Sequence, residues 1–103
     1  EDVNEIELIN EAIEDCAQEI YEELKHESYL YRTISVKVRL HDFKTFTRAK
    51  TLNYLSMSKD AIIKEAKHLA SEFMGDKIRL IGVRVSNLRE FKNQRTINQF
   101  ILQ

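Results

Sequence analysis

The side chains of this 103-residue chain that could do chemistry are basic groups and hydroxyls, gathered in two stretches. Arg32, Lys37, Arg39, Lys44, Arg48 and Lys50 stand in residues 32–52 with Asp42 as the only acid, a net of +5, interleaved with Ser35, Thr45, Thr47 and Thr51. Residues 77–103 hold six basic groups against Glu90, again +5, including Arg79 and Arg84 on either side of Gly82, with Ser86 close behind. Cations and hydroxyls alternating at two-residue spacing suit the binding of a polyanion. The total charge of -1 conceals this, because residues 1–31 carry 11 acids against Lys25 alone. Such an asymmetry is expected of a protein that turns one face toward phosphates.

Other chemistries lack their residues. Cys16 is the single cysteine and falls on an apolar helical stripe, so it reads as a core residue rather than a redox or metal group. His26, His41 and His68 share no short ligand spacing and read as solvated residues. No pair of aspartates lies near a glycine-rich phosphate loop, so no catalytic residue is assigned. The apolar runs are too short to span a bilayer, and the acidic first twenty residues do not have the layout of a signal peptide; an intracellular domain with no membrane partner is expected.

The elements that must position the basic groups follow from periodicity. Ile6, Ile9, Ile13, Cys16, Ala17, Ile20 and Leu24 recur at spacings of three and four, one stripe of an amphipathic helix whose other face is acidic. Ile34, Val36, Val38 and Leu40 alternate with Ser35, Lys37 and Arg39, the period of a half-buried strand. After a turn at His41-Asp42, residues 43–52 alternate too, with Lys44, Phe46, Arg48 and Lys50 on one face and Phe43, Thr45, Thr47, Ala49 and Thr51 on the other. Ser58 is placed to cap a second helix with the inner stripe Ile62, Ala66, Leu69, Ala70 and Phe73, and Gly75 to turn left-handed past its end. In the last strand Ile81, Val83 and Val85 oppose Gly82, Arg84 and Ser86.

Helix, strand, strand, helix, strand predicts an α+β two-layer sandwich, a mainly antiparallel sheet with two helices on one face. The solvent face is then expected to collect Ser35, Lys37, Arg39, Lys44, Phe46, Arg48, Lys50, Gly82, Arg84 and Ser86. A sheet kept merely soluble would mix both signs of charge. Gly82, which weakens a strand, suggests the close approach of another backbone.

Residues 78–86, Ile-Arg-Leu-Ile-Gly-Val-Arg-Val-Ser, closely resemble the last strand of the little-finger domain in the DinB and kappa branch of Y-family translesion DNA polymerases. Residues 32–37 with Phe43 and then Thr47-Arg48-Ala49-Lys50-Thr51 are similar to its second and third strands. Residues 93–103 resemble the segment that follows the domain in eukaryotic polymerase kappa, which implies a little finger over 1–92 and a tail over 93–103. In that family the domain grips duplex primer-template DNA along the major groove, touching phosphates through backbone amides and basic or hydroxyl side chains. Carried over, Thr47, Arg48, Thr51, Arg79, Gly82, Arg84 and Ser86 are DNA contacts; strand parity adds Lys37, Arg39, Lys44 and Lys50. Leu80 stands where several relatives have a second arginine.

The resemblance implies a parent DNA-directed DNA polymerase whose magnesium-dependent catalytic core lies in a separate palm domain. The cofactor of this chain is then none, and the compartment is the nucleus in a eukaryote or the cytoplasm in a prokaryote. The family fold, βαββαβ, opens with a strand, and the resemblance implies that this sequence begins just after it; in the family's usual order that strand is central, so a gap in the sheet is expected. In the tail, Gln94, Ile97, Phe100 and Ile101 follow the spacing of a sliding-clamp binding peptide, with Ile101 in place of a second aromatic. Two other readings compete. An RNA or single-strand module would stack bases, for which Phe46 is the one aromatic expected on the polar face. A protein-interaction module would use the acidic helix or the tail.

Overall fold

In the computed structural model, which describes residues 2–91 and side chains from residue 5 onward, the order is α1 (Asp2–Glu27), β1 (Tyr29–Leu40), β2 (Thr45–Ser56), α2 (Lys59–Ala70), a 3-10 turn (Ser71–Phe73), β3 (Ile78–Ser86) and the two-residue β4 (Arg89–Glu90). The three long strands are antiparallel in the order β2-β1-β3, and β4 pairs with the start of β1. The α+β sandwich expected from periodicity is the fold observed. The expected gap is not: β1 is hydrogen-bonded to β2 on one side and to β3 on the other, so a further strand could join only at an outer edge.

The core lies between the sheet and the helices. Ile13, Ala17 and Leu24 of α1 meet Ile34 and Val36 of β1 and Ile62, Ala66 and Ala70 of α2, all buried. Ile9 and Ile20 pack at the margin of this cluster, Cys16 is half-buried and free, and Ile6 is exposed; the α1 stripe is narrower than the spacing suggests. Complete burial of a side chain the size of Ile13 or Ile62 contributes about 1.5–3 kcal/mol.

Two boundaries differ from expectation. β1 begins at Tyr29, five residues before the alternation starts, because Ser28 takes a left-handed turn (φ 60) and a register shift between Tyr31 and Thr33 breaks the two-residue period. Tyr31 is fully buried there, and its hydroxyl donates to the Ser58 carbonyl at 2.8 Å. Ser58 caps α2 as expected, its Oγ accepting from the Ala61 amide at 3.0 Å. Gly75 is not left-handed; α2 ends instead by tightening into the 3-10 turn, where the Met74 amide donates to the Ser71 carbonyl and the Asp76 amide to that of Phe73.

Candidate nucleic-acid interface

Register decides which side chains share the open face, since residues directly opposed across an antiparallel pair point to the same side. Ile34, Val36 and Val38 face the helices, so Thr33, Ser35, Lys37 and Arg39 lie on the other side of the strand, where Lys37 is exposed, Arg39 half-buried, and Thr33 and Ser35 are themselves buried among their neighbours. Their partners complete four rows across β2, β1 and β3: Thr45, Arg39 and Leu80; Thr47, Lys37 and Gly82; Ala49, Ser35 and Arg84; Thr51, Thr33 and Ser86. Three cations and six hydroxyls thus occupy a patch whose strands are about 4.8 Å apart. None of the three long strands contains an aspartate or glutamate.

The middle of this patch is concave. A cavity of about 370 Å³ is lined by Ser35, Lys37, Thr47, Gly82, Arg84 and the backbone stretch through Val36 and Val83. Its floor is Gly82, where an added Cβ would meet nothing within 4 Å and where φ is not positive. Nothing inside the fold requires glycine there. The effect of its missing side chain is to leave the β3 backbone uncovered by a side chain between Lys37 and Arg84. At the hairpin end, Arg39 Nε donates to Thr45 Oγ1 at 3.0 Å, which fixes one guanidinium along the face.

The structure corrects the expected face of β2. Phe46 opposes Val38, Arg48 opposes Val36 and Lys50 opposes Ile34, so all three lie on the helix side and not on the open one. The phase is set by the hairpin. Leu40 and Lys44 close a loop of three residues, with the Leu40 amide donating to the Lys44 carbonyl and Phe43 left-handed (φ 70) as its third member. Lys44 therefore falls in phase with Leu40, and it pairs with Asp42 at 3.7 Å. Phe46 packs on Phe73 at 5.3 Å between ring centroids. The Arg48 guanidinium covers both rings, 5.6 and 5.2 Å from their centroids, and forks onto the Glu72 carboxylate at 3.1 and 3.2 Å. Its charge is neutralised at home. Arg79 sits beside the register shift at the start of β3, with its guanidinium 4.7 Å from the Phe43 ring centroid.

Of the residues predicted to contact DNA, the open face brings together Lys37, Arg39, Thr47, Thr51, Gly82, Arg84 and Ser86; it leaves out Lys44, Arg48 and Lys50 and keeps Arg79 at its rim. Thr33 and Thr45 join it. The sequence carries a signal for them, because Thr45, Thr47 and Thr51 share one phase; the basic phase of β2 is the inner one. The tail residues Gln94, Ile97, Phe100 and Ile101 lie outside the described residues.

Comparison with known proteins gives this face its context. Residues 1–99 match the impB/mucB/samB family C-terminal domain. The chain belongs to that family, the little-finger domains of Y-family DNA polymerases. Similar proteins include DNA polymerase IV of Methanosarcina acetivorans, 32% identical over 100 residues, covering 94% of this chain and 27% of that one. DNA polymerase IV of Clostridium perfringens is 34% identical over 92 residues, 87% of this chain and 26% of that one, and DNA polymerase kappa of Arabidopsis thaliana is 31% identical over 101 residues, 93% and 15%. The chain therefore spans about a quarter or less of the length of these relatives.

Proposed function

We propose that the open sheet face holds duplex primer-template DNA by its phosphates, without reading sequence, as the accessory grip of a translesion polymerase. The observation that carries this reading is the cavity over Gly82, where Lys37, Arg84 and Thr47 surround unobstructed backbone. A phosphodiester fits such a place because it meets cations, hydroxyls and uncovered backbone together, and it looks alike at any base pair. Such a grip sits beside a damaged template without rejecting it. Base stacking is disfavoured, since none of the twelve residues in the four rows is aromatic and Phe46 is packed on Phe73.

The parent chain would supply the nucleotidyl transfer, with magnesium held in its palm domain, and the little finger would add affinity and processivity. In the tail, Ile97 and Phe100 would enter an apolar pocket of a sliding clamp while Gln94 bonds at its edge and Ile101 lies alongside. The test is a titration at several salt concentrations with two duplexes of unrelated sequence and one single strand. Equal affinity for both duplexes, falling steeply with salt, is expected. A preference for the single strand, or for one duplex, would overturn the reading.

A further inference from the structure

At the end of the sheet away from the hairpin, a second cavity of about 400 Å³ is lined by Arg32, Thr51, Leu55, Asn87, Leu88 and Arg89. No carboxylate lines it, and neither guanidinium has a hydrogen bond or ion pair among the described residues. Glu90, next along β4, stands opposite Tyr29 and is not part of the lining. The backbone builds the juxtaposition. Asn87 takes a left-handed turn (φ 57), a conformation asparagine tolerates, and returns the chain so that Arg89 pairs with Leu30, two residues from Arg32.

A hydrogen-bond chain leads to the cavity. Asn87 Nδ2, which can only donate, gives a bond of 2.6 Å to Thr33 Oγ1. Thr33 Oγ1 is 3.0 Å from Thr51 Oγ1, a hydrogen bond in which either hydroxyl can be the donor. Thr51 also lines the cavity, which places its hydroxyl beside any ligand there. Two unpaired guanidinium forks and a hydroxyl are a donor set for a tetrahedral oxyanion.

We propose that Arg32, Arg89 and Thr51 form a second phosphate pocket, filled by a backbone phosphate of the same duplex that lies over Gly82. This rests on the reading of the open face as a duplex grip. Arg32 is five residues from Lys37 along β1, roughly 17 Å at strand rise, a distance that a duplex with a phosphate every 3.4 Å per strand spans without bending. The pocket extends the grip past the concave centre of the sheet.

The test is a duplex titration between 50 and 200 mM salt on the wild-type chain and on variants R84A, R32A/R89A and K64A, the last being an exposed lysine on α2. R32A/R89A should lower the salt slope by about 2, so that affinity falls roughly tenfold or more less steeply over that range, with K64A close to wild type. A slope unchanged in R32A/R89A but lowered in R84A would overturn the pocket and leave the grip standing; no salt-dependent duplex binding by the wild type would overturn both. A parallel titration with inorganic phosphate, followed through the Thr51 and Asn87 amide resonances, separates the sources. Phosphate binding there together with an unchanged duplex slope in R32A/R89A would assign the pocket to free phosphate and overturn the duplex assignment.

Discussion

Gly82 separates a structural explanation from a functional one. Glycine within a strand costs about 0.5–1 kcal/mol relative to alanine, and here neither its φ nor its surroundings demand it. Gly82→Ala should therefore leave the protein as stable as wild type or more stable by up to about that amount, while duplex affinity falls because a methyl group stands where a phosphate would reach the backbone. Thermal melting beside a salt titration would show the two effects moving in opposite directions. Loss of stability with affinity intact would show that the glycine serves the fold. Two arginines give a second contrast. Arg84→Ala should weaken binding to all duplexes alike and lower the salt slope by about 1, with an unchanged melt. Arg48→Ala should do the reverse. Its ion pair with Glu72 is half-exposed, 39% and 54% for the two side chains, so its contribution is discounted to under about 1 kcal/mol. Its cover over the Phe46 and Phe73 rings adds about 0.5–1 kcal/mol.

At the scale of elements, the join between β1 and α2 depends on Tyr31, whose hydroxyl reaches the residue that caps the helix. Burial pushes its phenol pKa above the ordinary value of 10.0, and the Ser56 hydrogen bond offsets only part of that. Above pH 10 the unfolded chain loses this proton before the folded one does. The contribution to stability is thus fully present below about pH 10 and is lost as pH rises through the raised folded value. Urea melts from pH 8 to 11.5 should show a fall that Tyr31→Phe removes, at a cost of about 1 kcal/mol at neutral pH for the missing hydrogen bond. The legibility of the elements in the sequence followed their hydrophobic contrast. Ile34, Val36 and Val38 against Lys37 and Arg39 define β1 and its faces without ambiguity. Residues 44–52 are polar on both faces because β2 is an edge strand only partly roofed by α2 and the 3-10 turn, so alternation gave a strand but not its inner side. A loop of three residues with Phe43 left-handed decides that phase, and left-handed phenylalanine is a rare choice for a position that usually takes glycine. The hydrogen-bond chain from Asn87 to Thr51 joins residues 36 positions apart and has no local signature.

Taken whole, the molecule separates its charge across two layers. The acids of α1 crowd the helix layer, with Glu14 paired to Lys67 of α2 at 2.8 Å, while the free cations of the sheet point the other way. The local excess of acid on α1 keeps the helix side from attracting polyanions. How strongly the two layers feel each other depends on salt. A helix with its side chains is about 10–12 Å thick, so acids on the outward side of α1 lie beyond one Debye length from the open face at physiological ionic strength, about 8 Å. At 0.01 M that length grows to about 30 Å and encloses the whole domain. Glu11 and Asp15 are exposed on α1 and have no hydrogen bond or ion pair among the described residues. Glu11→Gln with Asp15→Asn should therefore raise duplex affinity at 10 mM salt and converge on wild type at 150 mM. Arg84→Ala, which removes a direct contact, should weaken binding at both. Fluorescence anisotropy with a labelled duplex at the two salt concentrations checks this. A large loss of affinity in the Glu11 and Asp15 variant at 150 mM would mean that α1, and not the sheet, meets the DNA.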